Sequence, residues 1–387
     1  MNDMPDPNKM IEAARLTRAG RLAEATALIR RMLRRETSPG VGRADRPLLD
    51  AATSAQPRVA HALRDLLDRV TRRPGLGLPG LKRPVPLPTP DIVPAGGKFI
   101  AATYGNAAGS RTYKLYIPSR YHGQALPLVV MLHGCTQSPD DFAAGTRMNV
   151  IAEEETCLVV YPEQASTANP AKCWNWFRPS DQRRGQGEPS LIAGITRQVM
   201  HDYAVDPQRV YIGGLSAGGA AAALMGASYP DLYAAIGVHS GLACGAANDL
   251  QSALVAMRQG EPAASSGSDD FLAAPGEGPA VPTIVFHGDR DTTVHPRNGD
   301  HVIAQSMRSA SVQKNVQRGR AAGGHAYTRT IHTDAGGRAI FEHWDIHGAG
   351  HAWSGGGPAG SFTDPRGPDA TREMLRFFRA HALPAAT

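Results

Sequence analysis

The chain has 387 residues, of which 42% are hydrophobic and 20% charged, enough to bury one large core with length to spare. No stretch approaches the roughly 18 consecutive apolar residues of a membrane helix, so no membrane partner is expected. The net charge of +6 is uneven: residues 1–95 hold 17 Lys+Arg against 10 Asp+Glu, leaving 24 against 25 for the remainder, and the basic part lacks interleaved aromatics, so nucleic acid is not expected either.

Residues 1–73 read as a helical N-terminal extension. Two short helices are expected over Lys9–Arg35, broken at Gly20, with Leu22, Ala25, Leu28, Ile29 and Met32 at helical spacing. A third is expected around Leu63, Leu66, Leu67 and Val70. The first pair is similar to a single tetratricopeptide unit, too little to bury its own face, so it needs to dock or to self-associate. Seven prolines between Pro74 and Pro94 make residues 74–96 a linker. Lys9, Arg15, Arg18, Arg21 and Arg30 punctuate the N-terminus, and no secretory apolar run is visible there. A cytoplasmic location is expected, with export by a route not readable from the sequence as the alternative.

From residue 97 to 382, short β-rich runs alternate with helical stretches, the pattern of a mostly parallel sheet covered on both faces. Strands are predicted at Thr112–Ile117, Leu128–Leu132, Cys157–Tyr161, Arg209–Ile212, Ala234–His239 and Thr283–Phe286. Helices are predicted at Ala144–Glu154, Ser190–Tyr203, Ala217–Tyr229 and Asp369–His381, and a hairpin around Gly336-Gly337. Residues 259–280 form a Gly/Ser/Pro-rich excursion. Cys135, Cys157, Cys173 and Cys244 are too few for a disulfide scaffold and lack zinc spacing; free thiols are the default, with one local bridge near the site left open.

The segment Gly214-Leu215-Ser216-Ala217-Gly218 places G-x-S-x-G between a predicted strand and a predicted helix, the context a nucleophile elbow requires. A hydroxyl needs a histidine base and an acid to orient it, in chain order serine, acid, histidine. After the Thr283–Phe286 strand, the loop from His287 to Val294 offers Asp289 and Asp291, which this reasoning does not separate. His351, flanked by glycines after a strand, is the candidate base. His343 and His347 precede it at four-residue intervals, but on a strand that spacing does not gather a metal. The oxyanion donors are expected to be the backbone N–H groups of Ala217 and of Cys135, the latter just after the strand ending Leu132-His133-Gly134. No cofactor is needed for this chemistry.

Six blocks together resemble the polyhydroxybutyrate (PHB) depolymerase family of esterases, which is related to acetyl xylan and feruloyl esterases. They are Leu132-His133-Gly134-Cys135-Thr136-Gln137, Tyr161-Pro162-Glu163-Gln164, Cys173-Trp174-Asn175-Trp176-Phe177, Gly214 to Gly219, Ser240-Gly241-Leu242 and Gly350-His351-Ala352-Trp353. The resemblance spans about residues 98–382. It implies an α/β-hydrolase fold, ester hydrolysis through an acyl-enzyme, and Asp291 as the triad acid. Hydroxybutyrate oligomers or similar short-chain esters are the expected substrates, with acetylated or feruloylated polysaccharide as the alternative. Depolymerases of insoluble polymer resemble modular secreted enzymes with a separate binding domain, a layout this chain does not share, so solid polymer is not expected as substrate. Trp174, Trp176 and Trp353 are read as an aromatic wall of the cleft, with core packing the alternative for each. A reading of another class, a non-catalytic module that binds a partner through its N-terminal helices, is opposed by the intact Ser, Asp and His.

Overall fold

The computed structural model describes residues 92–261, 280–307 and 311–385. The expected N-terminal helices, nearly all of the Pro-rich linker and most of the Gly/Ser/Pro-rich excursion lie outside the described residues. Residues just before 97 already contact the folded part of the chain. The Ile92 carbonyl accepts a hydrogen bond from Asn149 (2.9 Å), and Val93 packs against the core.

In chain order the strands are β1 (Lys98–Asn106), β2 (Gly109–Ile117), β3 (Leu126–Leu132), β4 (Leu158–Pro162), β5 (Val205–Leu215), β6 (Ala235–His239), β7 (Thr283–Gly288), β8 (Gln313–Arg320), β9 (Ala326–Thr333) and β10 (Ala339–Ile346). They form one sheet in the order β1-β2-β4-β3-β5-β6-β7-β10-β9-β8. The run from β4 to β10 is parallel throughout, whereas β1–β2, β2–β4, β10–β9 and β9–β8 pair antiparallel. A two-residue parallel pair, β11 (Trp353–Ser354) and β12 (Thr363–Asp364), lies beyond β10. The α-helices among the described residues are α1 (Pro139–Thr146), α2 (Met148–Glu155), α3 (Gly187–Asp202), α4 (Ala217–Ser228), α5 (Leu250–Gln259), α6 (Arg297–Ser306) and α7 (Ala370–Arg379).

Strand β3 shows why the parallel strands are continuously apolar. Leu128, Val130 and Leu132 join the core shared with α3 and α4, while Val129 and Met131 join the opposite core shared with α1, α2 and α7. Both faces are covered, so every residue of β3 is buried. The helix predicted over Ala144–Glu154 is in fact two helices, because Arg147 adopts a left-handed conformation (φ 57°) that ends α1 and redirects the chain into α2. The sequence reading missed β1 and β8. Both are edge strands, and β8 (Gln-Lys-Asn-Val-Gln-Arg-Gly-Arg) is almost wholly exposed and carries no period-two apolar signal.

Candidate active site

The parallel strands deliver their C-terminal ends to one rim, where the candidate residues collect. Ser216 sits between β5 and α4 with φ 58° and ψ −120°, a backbone that L-residues adopt only when the surroundings impose it. Its N–H donates to the His239 carbonyl (2.9 Å). A Cβ on either Gly214 or Gly218 would overlap the Leu132 carbonyl oxygen, so both glycines of the motif are required by the close approach of β3 to the turn. The side chain at 216 is thereby held on the rim, with Ala217 opening α4.

Asp291 lies in the loop after β7. One carboxylate oxygen, Oδ1, accepts the N–H groups of Thr293 and Val294, each at 2.8 Å. The other, Oδ2, is 2.6 Å from Nδ1 of His351. Burial alone would push this carboxyl up. The His351 charge and hydrogen bonds from His287 and His351 outweigh burial and hold it far below the usual carboxylate range. Asp289, the competing acid, has different partners. It bonds Nδ1 of His347 (3.0 Å) and the N–H of Gly348 (2.7 Å), and so staples the loop that carries His351.

Three further histidines, none assigned a catalytic role from sequence, brace this rim. His239 holds Ser216 through its carbonyl while its ring Nε2 accepts the N–H of Ser354, three residues beyond His351 (2.9 Å). Burial, reinforced by the His287 and His351 charges, lowers its pKa to about 3, so the ring is neutral. His287 donates from Nε2 to the Val294 carbonyl (2.9 Å), with Oδ2 of Asp291 at 3.5 Å from the same nitrogen. His133 donates from Nδ1 to the Gly134 carbonyl (2.7 Å) and accepts the Gln164 N–H at Nε2 (3.1 Å), which fixes its tautomer; burial lowers its pKa to about 4. Of the other pair at four-residue spacing, His343 approaches Asp300 and Asp345 (3.7 and 3.5 Å) while His347 binds Asp289.

Ser216, Cys135 and Ala217 line one pocket together, whose remaining walls are Cys173, Trp176, Phe177, Leu242, Val294 and the α5 side chains Leu250, Ala253, Leu254 and Met257. The lining is almost entirely apolar, and the space open within it is about 30 Å³. Cys135 and Cys173 form a disulfide, contrary to the default expectation of free thiols. Cys157 is free and buried, with its thiol pushed up to about 12.

A family model described as "Esterase PHB depolymerase" matches residues 111–327, more than half of the chain. The chain belongs to this PHB depolymerase esterase family. Among its relatives, a poly(3-hydroxyalkanoate) depolymerase C from Paucimonas lemoignei is 32% identical over 254 residues, covering 65% of this chain and 60% of that protein. A feruloyl esterase B from Thermothelomyces thermophilus is 30% identical over 200 residues, 49% of this chain and 67% of its own length. The chain thus spans only about three fifths of the depolymerase it matches. An acetyl xylan esterase from Aspergillus awamori superimposes with a TM-score of 0.58 at 18% identity, covering 73% of this chain and 99% of that one, which supports the α/β-hydrolase fold.

In this family member the three tryptophans do not act as one wall. Trp176 lines the pocket. Trp174 is fully buried and donates its indole N–H to the His133 carbonyl (3.1 Å). Trp353 is buried against His239 and Phe142, and its N–H is bound to Thr371 Oγ1 (2.9 Å). The interior offers Trp174 and Trp353 both apolar neighbours and a hydrogen-bond acceptor, so the core reading holds for these two.

Proposed function

We propose that the chain is a serine esterase that hydrolyses short-acyl carboxylic esters through an acyl-enzyme. The observation that carries this reading is the 2.6 Å bond from His351 to the buried Asp291, on the rim where the strained turn presents Ser216. In the reaction Ser216 Oγ attacks the ester carbonyl as His351 Nε2 takes its proton, and Asp291 holds Nδ1–H and stabilises the imidazolium. The N–H groups of Cys135 and Ala217 receive the oxyanion. His351 then protonates the leaving alcohol and activates the water that releases the acid.

The small apolar pocket supports a short acyl group over a feruloyl group. Hydroxybutyrate oligomers stand first, given the depolymerase relative, and acetyl esters second, given the fold likeness to an acetyl xylan esterase. No helix among the described residues is long and apolar enough to cross a membrane. The Cys135–Cys173 disulfide favours an oxidising compartment over the cytoplasm. Residues 1–91 are read as an appended segment, with self-association through it open to a molar-mass measurement.

The test is a panel of p-nitrophenyl acetate, p-nitrophenyl butyrate, hydroxybutyrate trimer, acetylated xylan and methyl ferulate, with a phosphonate ester as covalent probe. Hydrolysis of the short-acyl members, labelling of Ser216 and loss of both in Ser216→Ala are expected. Labelling at another residue, or a preference for methyl ferulate, overturns the reading.

A further inference from the structure

Two of the sequence blocks, Tyr161 to Gln164 and Cys173 to Phe177, supply no group to the proposed bond-making steps, yet they converge on one buried carboxylate. Glu188, in the first turn of α3, is 5% exposed. Its Oε2 accepts the N–H of Asn175 (2.7 Å), and its Oε1 accepts the Asn175 side-chain amide (2.6 Å), the Gln164 amide and, at 3.4 Å, the Arg111 guanidinium. Every one of these partners is a donor, so the arrangement calls for the ionised carboxylate. Gln164 is tied in twice more, through Arg111 Nε to its Oε1 (3.0 Å) and through its Nε2 to the Cys173 carbonyl (2.8 Å).

The segment from Gln164 to Asn175, gathered in this way, is the wall against which the loop after β3 rests. It holds that loop at four points. The Gln164 N–H reaches His133 Nε2 (3.1 Å), the Trp174 indole reaches the His133 carbonyl (3.1 Å), the Ala171 carbonyl accepts the Thr136 N–H (2.7 Å), and Cys173 is covalently joined to Cys135. Thr136 has φ 67°, so the backbone beside Cys135 is in a conformation that it keeps only while held.

We infer that Glu188 is a positioning residue for the oxyanion donor: through Gln164 and Asn175 it fixes the segment that sets where the Cys135 N–H points. It does not touch substrate. A donor displaced by about an ångström loses much of its hold on the developing oxyanion while ground-state ester binding in the apolar pocket is little changed.

This rests on the esterase reading above, and the experiment keeps the two separable. Wild type, Glu188→Gln, the milder Asn175→Ala and the control Glu342→Gln are compared for kcat and KM on p-nitrophenyl butyrate, for inhibition by a butyl boronic acid that forms a tetrahedral anion on serine, and for thermal stability. Glu342 is also buried but pairs with Arg329 and Arg376 from the middle of β10. For Glu188→Gln a fall in kcat on the order of 10- to 100-fold is expected, with KM within about threefold and boronate affinity falling in step with kcat. Asn175→Ala should follow the same pattern in weaker form, and it decides the matter if Glu188→Gln does not fold. Glu342→Gln should lose stability without a comparable loss of kcat. Folded Asn175→Ala and Glu188→Gln proteins with wild-type kcat, equal kcat losses in the Glu342 control, or a kcat loss with unchanged boronate affinity overturn the positioning role alone. A wild type that cleaves no ester overturns the esterase reading, and the positioning role with it.

Discussion

Replacing Asp291 by asparagine keeps size and shape and changes only which atom can donate. Oδ1 receives two backbone N–H groups, from Thr293 and Val294, at 2.8 Å each. An asparagine at 291 therefore places its amide oxygen there, since the alternative sets an NH2 group against two donors. The NH2 is then forced to the Oδ2 position, 2.6 Å from Nδ1 of His351. Two donors cannot share that contact, so His351 shifts its proton to Nε2 and can no longer accept one from Ser216. The expected cost in kcat is on the order of 10⁴, or about 5.5 kcal/mol of transition-state stabilisation. Asp289→Asn keeps an acceptor for Gly348 and lies on a half-exposed side chain, so less than about tenfold is expected. Steady-state kinetics on p-nitrophenyl butyrate, with circular dichroism as a folding control, measures both. A folded Asp291→Asn enzyme within tenfold of wild type, or the reverse ranking, refutes the assignment of the acid.

Cys173→Ser is expected to lower unfolding stability, by about 4 kcal/mol from closure of a 38-residue loop, and to lower kcat more than KM because the Cys135 segment is released; urea unfolding and kinetics on the same protein check both, and unchanged kcat refutes the second. Acid should destabilise the fold before it titrates the carboxylates. His133 and His239 have pKa values lowered to about 4 and about 3, so below an unfolded value near 6.5 the unfolded chain binds protons that the folded chain does not. Stability is then full above pH 6.5 and falls as pH drops toward 4, by about 3 kcal/mol for His133 and a similar amount for His239, with the depressed Asp291 carboxyl adding in the same direction at lower pH; urea midpoints equal at pH 7 and 4.5 refute this. Deleting residues 1–91 should leave kcat/KM on a small soluble ester nearly unchanged, since every site residue lies beyond Ile92, and a loss above about tenfold, roughly 1.4 kcal/mol, refutes that boundary.

The geometry that chain order alone can specify was legible. The elbow glycines announce a close backbone approach, and the candidate acid and base follow in order, each just past a strand and in contact with one another. Asp289 and Asp291 differ in burial and in which histidine each reaches, tertiary facts that the sequence conveyed only through family likeness. The sequence left one local bridge near the site open but not its pairing, because Cys135 and Cys173 lie 38 residues apart on separate loops whose meeting is a tertiary fact. Trp174 and Trp353, unlike Trp176, stand away from the pocket for a related reason. An indole that finds an acceptor indoors, as Trp174 does at His133 and Trp353 at Thr371, has no need of the cleft. The edge strands β1 and β8 were missed where exposure removes the alternation on which strand reading depends.

A common physical problem links the histidines that sequence reasoning passed over. Where parallel strands end under a site, the last strand residues and the first loop residues are buried as the ladder runs out, and their N–H and C=O groups need partners. His133 follows β3, His239 ends β6 and His287 lies at the end of β7, around the strand that carries Ser216. A neutral imidazole is rigid, with one donor and one acceptor, so at His133 it satisfies a carbonyl on one side and an N–H from another segment on the other. At His239 the acceptor nitrogen takes the N–H of Ser354 while the backbone carbonyl takes that of Ser216, joining the Ser216 turn to the segment just after His351. Protonation removes the acceptor nitrogen in both cases. The rim that places Ser216, His351 and the Cys135 loop is thus held by groups that work only when uncharged, so the rim should loosen in acid, with loss of the Ser354 and Gln164 contacts preceding any protonation of Asp291.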